Sequence, residues 1–485
     1  MLRYLSFSSL LIVALSSLSC VDAARLDTRN SDLQNGAVTA CSILKEKFPD
    51  LVAFPGADQY ASDIDHWAGA NNLNATCSIE PASPEDVSKI IKIIGRGDIR
   101  SPFAVKSGGH AYAAGHSSTL GLTWDQVYKQ ITPLGITIAG GRVSGVGVGG
   151  LSLGGGYSWK TNQYGLTIDN IVSHEVVLPG GEIVHSSNET NSDLFFGLKG
   201  GLNNFGIVTH ITYKSLPQDL IYGGKVTYSY DVIDQISEVV AYFSEFNTDV
   251  KAQIGTVNSV TEGEFVMNIE FFYDAPTNYS EVFEPFLSIP SISSDIKLRT
   301  FDNYVSSFGN DDFGIGKFGF ISHTVPISKY PVPLIQVIVS EQIALEQSLR
   351  TQYPNTTFIV HMDIEPFINT NAHSTGGAYP HPSSRPLTPF EPEVYYSVDE
   401  NSTINEKTTL YNALATEIKN YSRTVQNKAV ELGVSLWDDP LYPNYSLGDT
   451  PLELLYGDNV PRLKEIAAKY DPEKVMTLTN GFHVQ

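Results

Sequence analysis

Cysteine is scarce in this chain: 485 residues hold three, Cys20, Cys41 and Cys77. That excludes a disulfide-dense scaffold and a thiolate zinc site, and no zinc-ligand spacing of His and Cys occurs elsewhere. No metal is expected. Positive charge is also short, with 31 Lys and Arg against 53 Asp and Glu and a formal net charge of -22. No basic patch could dominate such a field, which argues against nucleic acid or an anionic membrane as partner. Beyond the N-terminus no apolar run is long enough to span a bilayer. Internal repeats and the Gly-x-Ser-x-Gly elbow of serine hydrolases are missing as well. What remains is 42% hydrophobic and 17% charged, a globular composition at a length that allows two or three domains.

The N-terminus, Met1–Ala23, reads as a secretory signal peptide. Arg3 supplies the positive end, Leu10–Leu15 the apolar core, and Val21-Asp22-Ala23 the small-residue cleavage site. The apolar run is too short for a membrane anchor. Cys20 leaves with the leader. Cys41 and Cys77 then form an even pair in an oxidising compartment and are expected to make a disulfide, the alternative being two buried thiols. Asn74, Asn188, Asn278, Asn355, Asn401 and Asn420 lie in Asn-x-Ser/Thr sequons, as expected of a secreted glycoprotein.

Glycine, in contrast, is abundant and clustered. The first cluster is Lys106-Ser107-Gly108-Gly109-His110-Ala111-Tyr112. The second runs from Gly140 to Tyr157, and the third from Gly197 to Val208. Glycine lets the backbone approach a ligand closely, and its exposed N–H groups suit an anionic group such as a pyrophosphate. Three such loops point to a long, phosphate-bearing cofactor. The second contains Gly145-x-Gly147-x-x-Gly150, a formal match to the dinucleotide fingerprint. It is discounted here, because the fingerprint needs a helix straight after the glycines and Gly154-Gly155-Gly156 follow instead.

Around these loops the pattern alternates. Helices are expected over Asp32–Phe48, from Ser83-Pro84 through Ile94, after Trp124, over Asp193–Phe196 and over Leu463–Tyr470. Strands are expected at Phe103–Val105, Ile136–Ile138 and Ile207–Tyr213, with a hairpin joining Ile171–Leu178 to Ile183-Val184. After Pro217 the glycine-rich text stops. Strands at Lys225–Tyr228 and Phe265–Phe271 and helices at Val239–Phe246 and Leu410–Ile418 read as a second α+β domain, with a proline-rich loop over Pro380–Pro392.

Five motifs now stand in order: Ser107-Gly108-Gly109-His110, Gly147 through Tyr157, Gly200-Gly201-x-x-Asn204-Phe205-Gly206, Tyr442-Pro443-Asn444-Tyr445, and Tyr470-Asp471-Pro472. Together they resemble the berberine-bridge-enzyme-like FAD-linked oxidases, of the vanillyl-alcohol oxidase / para-cresol methylhydroxylase (PCMH) fold. The resemblance covers the whole mature chain. It implies an α+β fold with a two-lobed PCMH-type FAD-binding domain over residues 24–217. An α+β substrate domain with an antiparallel sheet would follow over 218–437, and residues 438–485 would return to the first domain.

The resemblance also implies roles. His110 matches the histidine joined covalently to the flavin. A second bond through a cysteine is excluded, because Val143 stands at that position. Lys106, Ser107, Gly108, Gly109, Val146, Gly147, Gly149, Gly150, Gly154, Gly155, Gly156, Gly200, Gly201, Asn204, Gly206, Val208 and Asn444 fall at cofactor-binding positions. Val146 matches a residue gating oxygen, and a valine there is similar to members that act as oxidases. Tyr445 matches a base, Tyr442 its partner, and Tyr112 a cavity-lining residue. Asn444, also in a sequon, would point into the site and stay unglycosylated.

The expected function is that of a secreted, monomeric FAD-dependent oxidase. It would take hydride from a small alcohol, amine or natural-product intermediate and pass electrons to molecular oxygen. The alternatives are a carbohydrate oxidase of the same family, or a non-catalytic secreted glycoprotein. One departure stands out. Where the family carries a strand-turn-strand, only Thr119-Leu120-Gly121 separates Ser118 from Leu122. The missing piece would be on the order of thirty residues, two or three strands with their turns.

Overall fold

The computed structural model describes residues 4–8, 12–16, 29–65, 75–107, 121–277, 281–309, 318–368, 370–399 and 402–485, with backbone alone before residue 35. It opens with two five-residue strands, β1 (Tyr4–Ser8) and β2 (Ile12–Ser16). Helix α1 (Arg29–Lys47) follows, then β3 (Val52–Ala53), β4 (Ala75–Ile79), α2 (Pro84–Ile94) and β5 (Ala104–Lys106). Helix α2 starts where the sequence marks a start. The Ser83 hydroxyl accepts from the Asp86 N–H at 3.2 Å, and Pro84 sits in the first turn, where its missing N–H costs nothing. Val87, Ile90, Ile91 and Ile94 bury its inner face against α1 and β4. The Cys41–Cys77 disulfide joins α1 to β4.

The next unit holds α3 (Trp124–Ile131), β6 (Ile136–Thr137), α4 (Val148–Leu153), β7 (Ile171–Val177), β8 (Ile183–Ser187), α5 (Ser192–Leu198), β9 (Ile207–Lys214) and β10 (Leu216–Pro217). Two four-stranded sheets result, in the orders β3-β4-β2-β5 and β1-β9-β7-β8, while β6 pairs with β10.

The N-terminal strands differ from the sequence expectation. β2, read above as part of a leader, lies between β4 and β5, with Ala14 opposite both Ser78 and Ala104. β1 runs antiparallel along β9, from Tyr4 opposite Lys214 to Ser8 opposite His210. Two strand places in the first domain are thus taken by the residues that precede it, and two strands is the lower bound for the piece missing near Ser118–Leu122.

The second domain is one antiparallel sheet of nine strands with helices on one face. Its strands are β11 (Ile221–Ser229), β12 (Ala252–Thr261), β13 (Glu264–Tyr273), β14 (Ser293–Ser294), β15 (Lys297–Arg299), β16 (Phe318–Ser322), β17 (Val325–Ile327), β18 (Phe358–Ile364) and β19 (Thr388–Ser397). Helices α6 (Ile233–Phe246), α7 (Val332–Gln352) and α8 (Ile404–Glu431) cover it. Alternation sorts the faces. Val360, Met362 and Ile364 of β18 and Phe390, Val394 and Tyr396 of β19 pack with the helices. Ile359, His361 and Asp363, with Glu391, Glu393 and Tyr395, therefore share the opposite face.

Three expectations need correction. The loop expected over Pro380–Pro392 ends early, because β19 starts at Thr388. Its prolines are tolerated where β19 changes partner: Pro389 faces Pro326 of β17, and Pro392 precedes the pairing with β16 that begins at Glu393. Secondly, a helix does enter the second glycine cluster. α4 begins after Gly147 and runs six residues to Gly154, where Gly155 and Gly156 at φ 128° and 86° end it. Thirdly, α7 was not expected, and α8 extends well beyond Leu410–Ile418 on both sides. The last long helix, α9 (Val460–Tyr470), ends at Asp471 as expected. Beyond it the chain returns to the first domain: the Val484 N–H donates to Asn204 Oδ1 at 3.0 Å.

Candidate active site

The acidic face of the second sheet meets the second glycine cluster, and Arg142 stands where they join. Its Nη2 donates to the Tyr445 hydroxyl at 2.6 Å, its Nη1 pairs with Glu365, and its guanidinium lies 5.7 Å from the Phe367 ring. Trp159 fixes its backbone through a 3.0 Å hydrogen bond from Nε1 to the Arg142 carbonyl. A guanidinium donating to a phenol oxygen stabilises the charge that oxygen carries once it gives up its proton. The geometry therefore provides Tyr445 with the partner a proton acceptor needs.

Tyr442 is built differently. Its buried hydroxyl accepts from the Gly156 N–H at 3.0 Å and from Asn444 Nδ2 at 2.9 Å. Burial pushes this phenol up to about 12, although both donors pull the other way. Its ring meets Tyr445 edge-on at 4.8 Å, Tyr157 at 5.0 Å and Tyr379 at 5.7 Å. The hydroxyls of Tyr442 and Tyr445 thus have separate partners, and the two residues touch through their rings. Asn444 also donates to the Leu151 carbonyl at 3.3 Å. A Cβ on Gly154 would collide with the Asn444 side chain, so glycine is what allows the Tyr442–Tyr445 segment to seat on this loop.

Beside Arg142 the sheet presents carboxyls. Asp363 stands opposite Glu391, and His361 opposite Glu393. Glu270 and Glu365 flank them. Burial, then the charge of Glu393 and Glu365, pushes Asp363 well above the usual carboxylate range. Burial and Glu393 do the same to Glu391. Burial raises Glu365 against the pull of Arg142, and lifts Glu270 to about 7. Ligand oxygens of Asp363, Glu391 and Glu393 all lie within 4.8 Å of one another, close enough to share a cation. No metal was expected from the sequence.

The comparisons with known proteins decide the chemistry. The model of an FAD binding domain matches residues 118–187. An FAD-dependent monooxygenase of Aspergillus calidoustus is 26% identical over 491 residues, covering 92% of this chain and 90% of that one. The chain is an FAD-linked oxidoreductase. Its fold is similar to that of Physcomitrella patens BBE-like 1, with a TM-score of 0.67 at 17% identity over 92% of this chain and 98% of that one. Carbohydrate oxidase from Microdochium nivale gives 0.68 at 19%, over 93% and 99%.

The glycine loops form the candidate place for FAD. Arg142–Val146 and Gly149 are half-buried and Gly150 is exposed. A Cβ on Gly150 would meet nothing within 4 Å, so open space lies beside that backbone. Gly149 N–H donates to the Ser107 hydroxyl at 3.0 Å, which brings the first two clusters together. In the third, Gly200 at φ 106° lies against Tyr379, Asn204 Nδ2 donates to the Gly201 carbonyl at 2.8 Å, and Val208 pairs with Val176. Gly206, at φ 148°, packs on the Val177 carbonyl. Lys106 donates to the Asp65 carbonyl at 2.5 Å, and burial lowers it to about 8. An open cradle of close-packed backbone fits an elongated phosphate-bearing group.

Gly108, Gly109, His110 and Tyr112 lie outside the described residues, as do Asn74, Asn278 and Asn401. Asn188, Asn355 and Asn420 are exposed, whereas Asn444 is held inward. The sequence reading missed Arg142, Glu270, Asp363, Glu365, Glu391 and Glu393. A signal existed: Asp363-x-Glu365 and Glu391-x-Glu393 repeat acids at the two-residue period that puts them on one strand face.

Proposed function

We propose that the protein is a secreted oxidase. It removes two electrons and two protons from a small alcohol, amine or natural-product intermediate and passes them to molecular oxygen, giving hydrogen peroxide. FAD, held by the glycine loops and by a covalent bond to His110, supplies the two-electron acceptor. Tyr445 takes the proton from the substrate oxygen or nitrogen as the carbon is oxidised, and Arg142 stabilises the phenolate that results. Tyr442 positions Tyr445 through its ring and ties the segment to Gly156. The carboxyl-lined sheet beside Arg142 holds the substrate. The observation that carries this reading is the 2.6 Å hydrogen bond from Arg142 to Tyr445, beside a cradle that fits the cofactor.

The leader, the sequons and the Cys41–Cys77 disulfide support secretion, and Val146 supports oxygen as acceptor. Removal of the leader would take β1 and β2 with it, so a secreted chain needs other strands in those two places. The protein purified with residues 1–23 in place should be yellow, keep its colour on denaturation, and lose it in the denatured His110→Ala variant. A screen of alcohols, sugars and amines should find one that yields peroxide. A colourless protein, or colour released from the wild type by denaturation, would remove FAD or its covalent bond from the reading.

A further inference from the structure

The sheet wall beside Arg142 holds more carboxyls than the protein itself supplies with cations. Glu270, Asp363, Glu365, Glu391 and Glu393 share that face, and the cation beside them, Arg142, is already engaged by Glu365 and Tyr445. His361 Nδ1 lies 3.6 Å from Glu393. Three oxygens in this wall are orphans, Asp363 Oδ1 among them. Glu391 is 3% exposed and its Oε1 has no hydrogen-bond partner; Glu365, also 3% exposed, leaves Oε2 unpartnered. Glu365 stands outside the trio, two residues beyond Asp363 and paired with Arg142. Buried carboxyl oxygens without partners are costly unless a ligand completes them.

The spacing says what kind of ligand. Charge-assisted N–H···O bonds run to about 2.8 Å, so an ammonium donating to three oxygens at tetrahedral angles holds them about 4.6 Å apart. The oxygens of Asp363, Glu391 and Glu393 lie within 4.8 Å of one another. Asp363 is half-buried, while Glu391 and Glu393 are buried. We infer that the substrate is a primary or secondary amine bound as its ammonium form, with Asp363, Glu391 and Glu393 as the receptor for its charge. This rests on the oxidase reading and narrows its substrate class: a neutral alcohol or sugar leaves the orphan oxygens without a counter-charge, whereas an ammonium supplies both charge and donors.

Calorimetry on the purified protein tests the inference by binding alone, with benzylamine and benzyl alcohol as matched probes at neutral pH. Flavin absorbance of the same sample reports separately on the oxidase reading. Benzylamine should bind at least about tenfold more tightly, the effect of one added charge-assisted contact. Glu391→Gln and Glu393→Gln keep the shape and cannot supply the negative charge that an ammonium would pair with. Each should reduce that preference without weakening benzyl alcohol, and thermal melting should confirm that they fold. Should one of them not fold, Asp363→Asn, at the half-buried position, gives the same readout. Equal affinity for the two probes, no binding of either, or a preference that survives all three substitutions would overturn the inference. So would micromolar Mn2+ binding lost in Glu391→Gln, which would make the trio a metal site.

Discussion

The sheets of the two domains are completed in different ways. In the second domain β11 to β19 follow one another along the chain and pair only among themselves. Helices α7 and α8 cover them, and the Tyr421 hydroxyl on α8 donates to the Ile338 carbonyl on α7 at 3.0 Å. In the first domain β4 and β5 are bridged by β2, and the outer edge of β9 is covered by β1, both drawn from residues 4–16. A sheet built from its own consecutive strands tolerates change at the chain's N-terminus. A sheet missing its central strand exposes two rows of unpaired backbone and the apolar faces beneath them.

The sharpest way to break that comparison is to remove residues 1–23. The first domain should then fail to hold flavin, with a large loss of soluble yield, while the second retains its secondary structure. Inserting a strand-turn-strand between Ser118 and Leu122, where the family carries one, should restore both yield and the flavin-to-protein absorbance ratio. A shortened chain that binds flavin stoichiometrically and melts cooperatively would show that the two strand places need no occupant.

Next in size is Tyr445→Phe. It removes one oxygen, leaves the ring contact with Tyr442, and frees Arg142 to rest on Glu365. Flavin content should be unchanged, and reduction of the flavin in anaerobic rapid mixing should slow by about two to four powers of ten, as for a positioned general base. Tyr442→Phe should cost less, since its hydroxyl serves Gly156 and Asn444. A Tyr445→Phe enzyme reduced at the wild-type rate would transfer the role to Tyr442 or Tyr112.

What the sequence disclosed follows from chain locality. Glycine loops and the Tyr442–Tyr445 segment are short, contiguous and chemically constrained, so their residues could be named in advance. The acid wall was hidden because it is assembled from three strands, β13, β18 and β19, far apart in the chain. Recognising it requires knowing which face the helices cover. That in turn required α7, whose opening run, Val332-Pro333-Leu334-Ile335, begins with a β-branched residue and a proline and so looks unlike a helix. The pairing of Arg142 with Glu365 joins residues from different domains and has no local signal at all. The disulfide was legible because two cysteines remained once the leader was set aside.

The contact between the domains offers a third, smaller effect. Lys160 is fully buried, and its Nζ lies 2.6 Å from Asp274 at the end of β13; Gln163 and Gln218 donate to the same carboxylate. Lys160→Met leaves Asp274 without its charge partner and should cost about 3 kcal/mol, the lower end for breaking a buried pair. Denaturant unfolding followed by flavin fluorescence and by far-ultraviolet dichroism should then show two separated transitions. Coincident transitions in the variant would mean that the domains do not depend on this clamp to unfold together.

The smallest effect isolates the first domain. Ser83 caps α2, and its hydroxyl accepts the Asp86 N–H at 3.2 Å. Ser83→Ala leaves that N–H to water and should cost about 1 kcal/mol. The helix buries Val87, Ile90, Ile91 and Ile94 beneath β4, so the loss belongs to the sheet that depends on β2, and none of it reaches the second domain. In the Lys160→Met background, where the two transitions are resolved, Ser83→Ala should move the midpoint of the flavin-reporting transition and leave the other in place. The rate of flavin reduction should not change, since α2 touches neither Arg142 nor Tyr445. A shift of both midpoints by the same amount would show that the two sheets form one cooperative unit despite the different ways in which they are built.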